Sequence, residues 1–393
     1  MLINFTFKNY RSFYDEQTLS LLASHDKVME ENIATVSTDL VPGNIGVLRS
    51  ITLFGDNESG KTNLLKTLNF MKKMVFLSSS MNTVMFNEPF ALLEYSSLLD
   101  THLEVEIIQN GSFYKYGFVI NDNKITKEWL FKRTERLTPI FKRNGDELQI
   151  TSLSRNEASL LSPSKSVLFL SIADKLNLSI KNSILDVKEF FQNLEFICEP
   201  KREYLNLYLE NEDRIRTANT ILKNIDMGFS DLKLIKMGSY IDAELSQDVY
   251  NETGDIIKKR KLRLFQDQEL LGRGIVHLCC ILPVLLKALD TGGTILINDL
   301  GSALSVNLAG FLQNFFSDNR INKKGSQMLA TSSLSMLMDE SLRRDQIYLV
   351  SKDNQGKSSL HRLSDRKNVR KSDVYSKKYL KGEYTKQLAA STK

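Results

Sequence analysis

The stretch LFGDNESGKTNLLKTLNF, residues 53–70, decides the fold. It contains a glycine, four further residues and then Gly-Lys-Thr, which is the spacing of a phosphate-binding loop of the Walker A type. A β-rich run, VLRSITLF at 47–54, precedes the loop, and a helical pattern follows from about 60 to 76. Glycines at these positions let backbone N–H groups turn toward phosphates, and the positive end of the helix strengthens the field. The stretch therefore predicts a nucleotide-binding P-loop.

The groups of this loop are the first candidate ligands. Lys61 is expected to reach the β- and γ-phosphates, and Thr62 to ligate Mg²⁺. We therefore predict ATP and Mg²⁺ as cofactors. The candidate ATP-binding residues are Gly55, Asn57, Ser59, Gly60, Lys61, Thr62 and Asn63.

Length and composition indicate a folded chain of two or three lobes. The 393 residues are 42% hydrophobic, which is enough to bury a core. There is no run of eighteen apolar residues, and Arg11 interrupts the apolar N-terminus where a secretory signal would continue. We expect a soluble, cytoplasmic protein without a membrane segment. Cys198, Cys279 and Cys280 offer neither a disulfide framework nor paired metal-ligand spacing.

The positive charge is concentrated in two places. Residues 357–393 hold eleven Lys or Arg against three acids, a net of +8 in a chain whose total is +5. A second cluster lies in IIKKRKLRLF, residues 256–265, where alternation predicts a strand with one charged face. Two interpretations stay open: a solvated face and a frayed C-terminal end, or an electrostatic footprint for nucleic acid.

Periodicity along the chain predicts an α/β fold. Short alternating runs separated by Asn- and Gly-rich turns at about 101–151 are typical of an antiparallel β meander. Helical patterns dominate 182–224, and a hairpin is expected around Asn251 to Gly254. After residue 269 helices and strands alternate, which indicates a parallel sheet wrapped by helices.

Because the phosphate loop lies near one end and the remaining sheet strands near the other, we expect a single mixed sheet assembled from both chain ends. The middle of the chain is then an insertion. We divide the chain into an N-terminal half of the head (1–100), an antiparallel β lobe (101–155), a helical insertion (156–237), a C-terminal half of the head (238–365) and a basic tail (366–393).

Three stretches resemble one family of proteins: FKNYRSF at 7–13, GDNESGKTNLLKTL at 55–68 and RRDQIYLVSKDNQGKSSLHRLSD at 343–365. They resemble the ABC/SMC-like AAA ATPases found beside bacterial restriction and abortive-infection genes, relatives of RecF and of the overcoming-lysogenization-defect ATPases. The resemblance covers most of the chain. It implies a P-loop head that binds ATP, forms a homodimer or higher oligomer face to face, and serves anti-phage defence with a separate effector protein.

The segment TILINDLGSALS, residues 294–305, departs from the family pattern of a Walker B strand ending in Asp-Glu. In alignment with the family, Asn298 occupies the position of the aspartate and Asp299 that of the glutamate. The loop that follows in the family carries Asp, Ser and His. Its positions hold Gly301, Ala303 and Ser305.

Two further family motifs are also altered. Where relatives resemble Glu-Ser-x-Gly-Thr in the signature segment, this chain has Glu269, Leu270, Leu271, Gly272 and Arg273. Glu269 and Gly272 are the signature residues that remain, and the serine is lost. Arg273, one turn from the lost serine, is a candidate cation for the opposite γ-phosphate. Ser332 replaces the switch histidine.

These departures predict ATP binding with weak or absent hydrolysis. A positioned general base contributes about 10²- to 10⁴-fold in rate, and Asp299 is one methylene shorter than glutamate, so it is a weak catalytic candidate. Neutral Asn298 would support Mg²⁺ less well through water. In the alternative register Asp299 is the Walker B aspartate and Leu300 stands at the base position, so one acidic group is missing either way.

The resemblance and the departures together suggest a sensor or scaffold for an effector in anti-phage defence. The alternative is a competent DNA-dependent ATPase of the recombination or repair type, and a third reading is a nucleotide-independent interaction subunit. Arg11 is a further candidate for the nucleotide phosphates. His277, within an apolar helix, is expected to be a satisfied or edge histidine rather than a base.

Overall fold

The computed structural model describes residues 1–36, 45–81, 86–225, 228–367 and 369–384. It shows a mixed α/β fold, as predicted: a P-loop head with a sheet from both chain ends and an antiparallel β meander beside it. The strands are β1 (Leu2–Lys8), β2 (Gln17–Ser20), β3 (Ile33–Val36), β4 (Ile45–Leu48), β5 (Ser50–Phe54), β6 (Thr101–Gln109), β7 (Ser112–Asn121), β8 (Lys124–Arg133), β9 (Leu137–Asn144), β10 (Glu147–Ile150), β11 (Leu194–Ile197), β12 (Asp231–Met237), β13 (Tyr240–Tyr250), β14 (Ile256–Arg263), β15 (Thr294–Ile297), β16 (Gln327–Thr331), β17 (Ile347–Lys352) and β18 (Ser358–Arg362). The α-helices are α1 (Lys61–Leu77), α2 (Arg155–Ser159), α3 (Phe169–Ala173), α4 (Lys181–Gln192), α5 (Glu212–Asn224), α6 (Arg273–Thr291), α7 (Val306–Ser317), α8 (Leu337–Glu340) and α9 (Tyr375–Leu380).

The central sheet has the order β11-β15-β16-β5-β17-β18, and all its pairings are parallel except that of β18. Its inner strands β5, β15, β16 and β17 are almost entirely buried because both faces are covered. Leu296 of β15 belongs to the core that contains α1, whereas Ile295 and Ile297 belong to the core that contains α6. The carboxyl ends of parallel strands meet at one edge, so the segments that follow β5, β15 and β16 come together there.

The second large sheet is antiparallel, with the order β10-β9-β8-β7-β6-β1-β2. It confirms the predicted meander, but two features were not predicted. Strand β9 was missed, and β6 pairs with β1, so the lobe continues into the N-terminal strands. Its buried face packs on α1, α3 and α4, which places α1 between the two sheets.

Three other expectations need correction. The run 47–54 is two strands in different sheets, separated by Arg49, whose buried guanidinium donates to the Asn322 carbonyl. The region 156–237, predicted to be helical, also supplies β11 to the central sheet. Of the two interpretations left open for the basic tail, a frayed end does not fit its described part, because Tyr375 and Tyr384 are buried in the core.

The basic cluster at 256–265 forms the edge strand β14 of a three-stranded sheet. The hairpin to β13 was predicted correctly, but the single charged face was not, because residues 256–261 are all exposed. Lys261 pairs with Glu244 at 3.0 Å and Lys259 lies 3.6 Å from Asp248. Lysines on an exposed edge also discourage pairing with further strands.

Helix α6 is long and apolar enough by composition to cross a membrane, with a mean hydropathy of 1.7, but 72% of that span is buried within the fold. Its apolar side chains therefore form the core of the head. Cys279 and Cys280 lie on this helix and are fully buried, and burial raises the pKa of the Cys280 thiol to about 12.

A buried ion pair joins the N-terminal segment to the C-terminal half. Arg343 and Asp345 form two N–H···O bonds of 2.9 Å, and both side chains are 1% exposed. The same carboxylate accepts hydrogen bonds from the backbone and hydroxyl of Ser24. Burial alone would raise the pKa of Asp345, but the hydrogen bonds from Arg343 and Ser24 outweigh it, so the pKa lies below its ordinary value.

We expect Arg343→Met to reduce the free energy of unfolding by about 3–5 kcal/mol, because it leaves a buried carboxylate without its cation. Since the pKa of Asp345 is lowered, the stabilisation is present above pH 3.8, the ordinary value, and is lost as the pH falls through the lowered pKa. Denaturant unfolding monitored by circular dichroism measures the change. Arg320→Met is the matched control, since it breaks an exposed pair with Asp318 and should have almost no effect. Equal effects of the two variants would contradict the prediction.

Candidate nucleotide-binding site

The loop between β5 and α1 has a shape that its two motif glycines make possible. Gly55 has φ +157°, and a Cβ there would lie 2.2 Å from the Val350 carbonyl oxygen. Gly60 has φ +113°, and a Cβ there would lie 2.3 Å from the Ser358 hydroxyl. A side chain at either position would collide with these neighbouring groups, so the loop can keep this shape only because both residues are glycine.

Serines from distant parts of the chain support the loop. Ser358 donates its hydroxyl to the Ser59 carbonyl at 2.6 Å, and its N–H bonds to the Ser12 carbonyl at 2.6 Å. Asn63, on the first turn of α1, donates to the Ser12 hydroxyl at 2.9 Å. The buried Ser59 hydroxyl has no hydrogen-bond partner among the described residues. Asn57, unlike Ser59, is an exposed residue of the loop.

Lys61 is folded back over the loop. Its ammonium group donates to the carbonyls of Gly55 at 2.7 Å and Asp56 at 2.8 Å. Burial lowers the pKa of Lys61, and the charges of Asp299 and Asp56 oppose this. A partly desolvated cation at the N-terminus of a helix is a favourable site for an anionic phosphate.

The Thr62 hydroxyl donates to Oδ1 of Asn298 at 2.7 Å. Thr331, at the end of β16, lies 3.4 Å from the same oxygen and accepts the Asp299 N–H at 2.7 Å. The carboxyl ends of β15 and β16 therefore place Asn298 directly beside the hydroxyl expected to ligate Mg²⁺. An amide oxygen accepts this hydrogen bond as a carboxylate would, but it carries no charge.

Asp299 is held in an unusual conformation. It has φ +55°, a region that few residues other than glycine adopt, although Asp tolerates it. Its Oδ1 is buried and has no hydrogen-bond partner among the described residues. The carboxylate also interacts electrostatically with Lys61 and His277. A strained acidic residue beside a phosphate loop is a candidate functional group.

His277 was expected to be satisfied or at an edge, and this expectation was wrong. The side chain is 6% exposed, and its Nε2 has no hydrogen-bond partner among the described residues. Burial lowers the pKa of His277, which keeps the imidazole neutral, whereas Asp299 opposes that shift. A cavity of about 350 Å³ brings His277 together with Glu269, Arg273 and Ala303.

The signature segment lies at the N-terminus of α6. Gly272 is the residue before the helix, Arg273 begins it, and both are exposed, as is Leu270. A Cβ on Gly274 would lie 2.9 Å from the Ala303 carbonyl, so the start of α6 packs closely on the 301–305 segment. Ser305 ends that segment and caps α7 by accepting the Leu308 N–H. The predicted signature and loop residues therefore share one surface.

Arg11 lies near the loop, but its guanidinium turns elsewhere. It donates to the Glu88 carboxylate at 2.7 Å, and its own φ is +52°. The neighbouring Ser12 is the residue that supports the phosphate loop. In this conformation Arg11 is thus paired with an acid rather than aimed into the cradle.

A protein-family model matches residues 51–332, and its description is "AAA domain, putative AbiEii toxin, Type IV TA system". The match starts within β5 and ends at Ser332, so it includes both the phosphate loop and the segment that follows β15. It covers more than half of the 393 residues. The chain belongs to this family. None of the curated proteins compared with the chain matches it significantly.

The family is one of P-loop AAA ATPases, and its description connects it with abortive infection and toxin–antitoxin systems. Such ATPases generally bind ATP with Mg²⁺. The predicted AAA-type ATPase of the abortive-infection class is confirmed to this extent. The relation to RecF and to the overcoming-lysogenization-defect ATPases remains a prediction.

The chain's own residues fit ATP and Mg²⁺. The cradle needs glycine at two positions, Lys61 is a partly buried cation, and the Ser59 hydroxyl is buried without a partner among the described residues. The sequence did not reveal Ser12, Thr331 or Ser358, which position the loop and Asn298. Serine and threonine at strand ends are too common to be noticed without the strand pairing.

We expect Gly60→Ala to weaken retention of a fluorescent ATP analogue by about tenfold, which corresponds to about 1.4 kcal/mol and lies within the usual cost of overpacking. The new methyl group would collide with Ser358. Equilibrium fluorescence titration measures the affinity. Gly111→Ala is the matched control, because Gly111 also has a positive φ, of +74°, but nothing lies within 4 Å of its Cβ position. Unchanged retention in a folded Gly60→Ala protein would refute the assigned cradle.

Proposed function

We propose that this chain is an ATP-binding ABC/SMC-type subunit that uses bound MgATP to hold an oligomeric assembly and hydrolyses it slowly or not at all. It would act in the cytoplasm as a sensor or scaffold for a separate effector protein in abortive infection. The hydrogen bond from Thr62 to Asn298 carries this proposal. It keeps the geometry of a metal-supporting pair while the acidic charge of that pair is missing.

The residues of the chain have separate roles in this proposal. The loop N–H groups and Lys61 would hold the phosphates, and Thr62 would ligate Mg²⁺. Asn298 or Asp299 would support the metal through water. Bound Mg²⁺ would neutralise phosphate charge, and its hold is weaker beside a neutral amide than beside a carboxylate.

The same arrangement supports slow turnover. Asp299 aligns with the family's general base, but it is one methylene shorter than glutamate and is held at φ +55°. The exposed Leu270 cannot donate the hydrogen bond that a signature serine would give to a partner's nucleotide. Binding depends on the intact loop, whereas hydrolysis depends on the altered groups.

The surface around α6 supports assembly with another protomer. Gly272 and Arg273 are exposed beside the 301–305 segment, and Leu270 is 60% exposed. Arg273 would offer a cation to the nucleotide of a facing copy, as an arginine finger does. Face-to-face pairing would cover the exposed leucine, which a monomer leaves in water.

We expect the wild-type chain to retain MgATP and to gain mass on binding it, with phosphate release below roughly 1 per second. Lys61→Ala should lose both retention and the gain in mass, because the desolvated cation is removed. Lys73→Ala, which removes an exposed lysine of the same helix, is the control and should behave as wild type. Mass photometry with a phosphate-release assay tests both points. An assembly that persists in Lys61→Ala would favour a nucleotide-independent interaction subunit.

The double variant Asn298→Asp with Asp299→Glu restores the family's acidic pair. We expect it to raise phosphate release by about tenfold or more, since a positioned general base contributes 10²- to 10⁴-fold. Asp56→Glu makes the same one-methylene extension at an exposed position of the loop and should change nothing. Steady-state phosphate release at saturating MgATP is the measurement. Ordinary rates of 1–100 per second in the wild type would sink the proposal of a degenerate site.

One observation favours a second candidate, a competent DNA-dependent ATPase. The carboxylate of Asp299 is retained, partly buried and without a hydrogen bond at Oδ1 among the described residues, so it is free to accept one. Phosphate release that rises on adding DNA, and falls again in Asp299→Asn, would identify this function.

A further inference from the structure

A groove of about 520 Å³ lies on the antiparallel sheet, away from the phosphate loop. The alternation of β8 shows which side chains face it. Glu128 and Leu130 are fully buried on the core side, whereas Lys127, Trp129 and Phe131 lie on the opposite face and line the groove. The groove therefore occupies the outer face of this sheet, with partly exposed aromatic rings in its wall.

Trp129 is fixed in place by its neighbours. In the sheet register it lies between Gly117 of β7 and Lys142 of β9. A Cβ on Gly117 would lie 2.6 Å from the indole ring, so the ring rests directly against the backbone of β7. The indole N–H donates to Glu104 at 2.9 Å. One face of the ring is thus fixed on the sheet, and the His102 ring lies beside it, with 5.5 Å between the ring centres and 53° between the ring planes. The ring as a whole remains partly exposed toward the groove.

The charges of the groove leave two cations without acidic partners. Lys115 pairs with Glu104 at 2.7 Å, and Arg155 pairs with Glu147 at 2.7 Å. Lys127 and Lys142 are exposed, and neither forms an ion pair with any described residue. The groove that they line also contains Glu104, Glu147 and the two aromatic rings, and the ammonium of Lys142 lies 5.1 Å from the centre of the Phe131 ring.

We propose that this groove binds single-stranded nucleic acid. Bases stack on Trp129 and Phe131, and phosphates lie at Lys127 and Lys142. Aromatic residues separated by two positions on one strand are about 7 Å apart, which leaves room for one base on each. Stacking on aromatic side chains next to cations is how sheets read unpaired bases, since paired bases in a duplex do not present their faces.

This site is independent of the proposed ATP function, because its residues lie on β6 to β10 and none belongs to the phosphate loop. It is also separate from the basic strand β14, which belongs to another sheet and does not line the groove that contains Trp129 and Phe131. Lys258 and Arg260 on β14 can therefore serve as control cations for Lys127 and Lys142 of the groove.

The single tryptophan of the chain makes the binding directly observable. With full-length protein and no ATP, we expect an oligothymidylate or oligouridylate of twelve nucleotides to quench the fluorescence of Trp129 in a saturable manner. Added salt should weaken the binding. Comparing the DNA and the RNA oligonucleotide shows whether the affinity depends on the sugar. Saturable quenching by either one supports the proposal. A duplex of equal length should bind at least about tenfold more weakly, given the stacking of each base. Equal duplex binding, or no quenching, overturns the proposal.

Charge reversal tests the cations. We expect Lys127→Glu with Lys142→Glu to weaken binding of a labelled oligonucleotide by about tenfold or more at low salt and to reduce the salt slope by about 2. The matched control is Lys258→Glu with Arg260→Glu, which reverses two exposed charges on β14. Fluorescence anisotropy gives the affinities. If the β14 variant loses binding and the groove variant keeps it, the groove is not the site.

Replacing the ring tests stacking separately from charge. Trp129→Leu should weaken binding by about tenfold, whereas Trp129→Phe should stay within about threefold of wild type, because phenylalanine retains a flat face. Inorganic polyphosphate has no bases, so it should compete with the oligonucleotide for the lysines equally well in both variants. Thermal melting and circular dichroism confirm that each variant is folded. Equal oligonucleotide affinity for the Leu and Phe variants overturns the stacking role.

Discussion

The pairing of β5 with β16 and β17 is the constraint on which the rest of the site depends. Strand β5 lies near the start of the chain, and its partners come from the last third. Their hydrogen bonds bring Val350 against Gly55 and Ser358 against Gly60, so the shape of the phosphate loop is set by residues far away in sequence. The same pairing aligns the end of β15 with the start of α1. A local motif of eight residues thus becomes a cradle only when the sheet has closed.

The sequence revealed the parts of the fold that depend on local chemistry. Glycine spacing, strand alternation and helix periodicity predicted β5, α1, most of the meander and the late alternation of helices and strands. It could not reveal elements set by distant packing. Strand β9 contains Pro139, which argues against a strand, and it is tolerated where the register shifts beside Phe131. Strand β11 is four residues long in helical surroundings and exists because β15 lies beside it.

The candidate site divides in the same way. The Gly-Lys-Thr motif predicted the loop, and the family resemblance proposed roles for Asn298 and Asp299. The contacts that give those positions meaning were not visible, since Thr331 and Ser358 reach the site only through sheet register. His277 was misjudged because helical periodicity marks a residue as buried but cannot tell whether its polar atom has a partner. Whether a buried polar atom has a hydrogen-bond partner depends on which residues the folded core brings next to it.

P-loop ATPases usually meet two requirements with one aspartate at the position of Asn298. The asparagine can meet only the first of them. Holding the loop in shape requires an acceptor for the Thr62 hydroxyl, and the amide oxygen at 2.7 Å supplies it. Drawing a divalent cation to that hydroxyl and polarising its water requires negative charge, which the amide lacks. The remaining charge belongs to Asp299, which lies in the field of the Lys61 cation. Under the proposed function, such a site would keep a triphosphate ordered while cleaving it slowly, as a subunit that signals through its bound nucleotide requires.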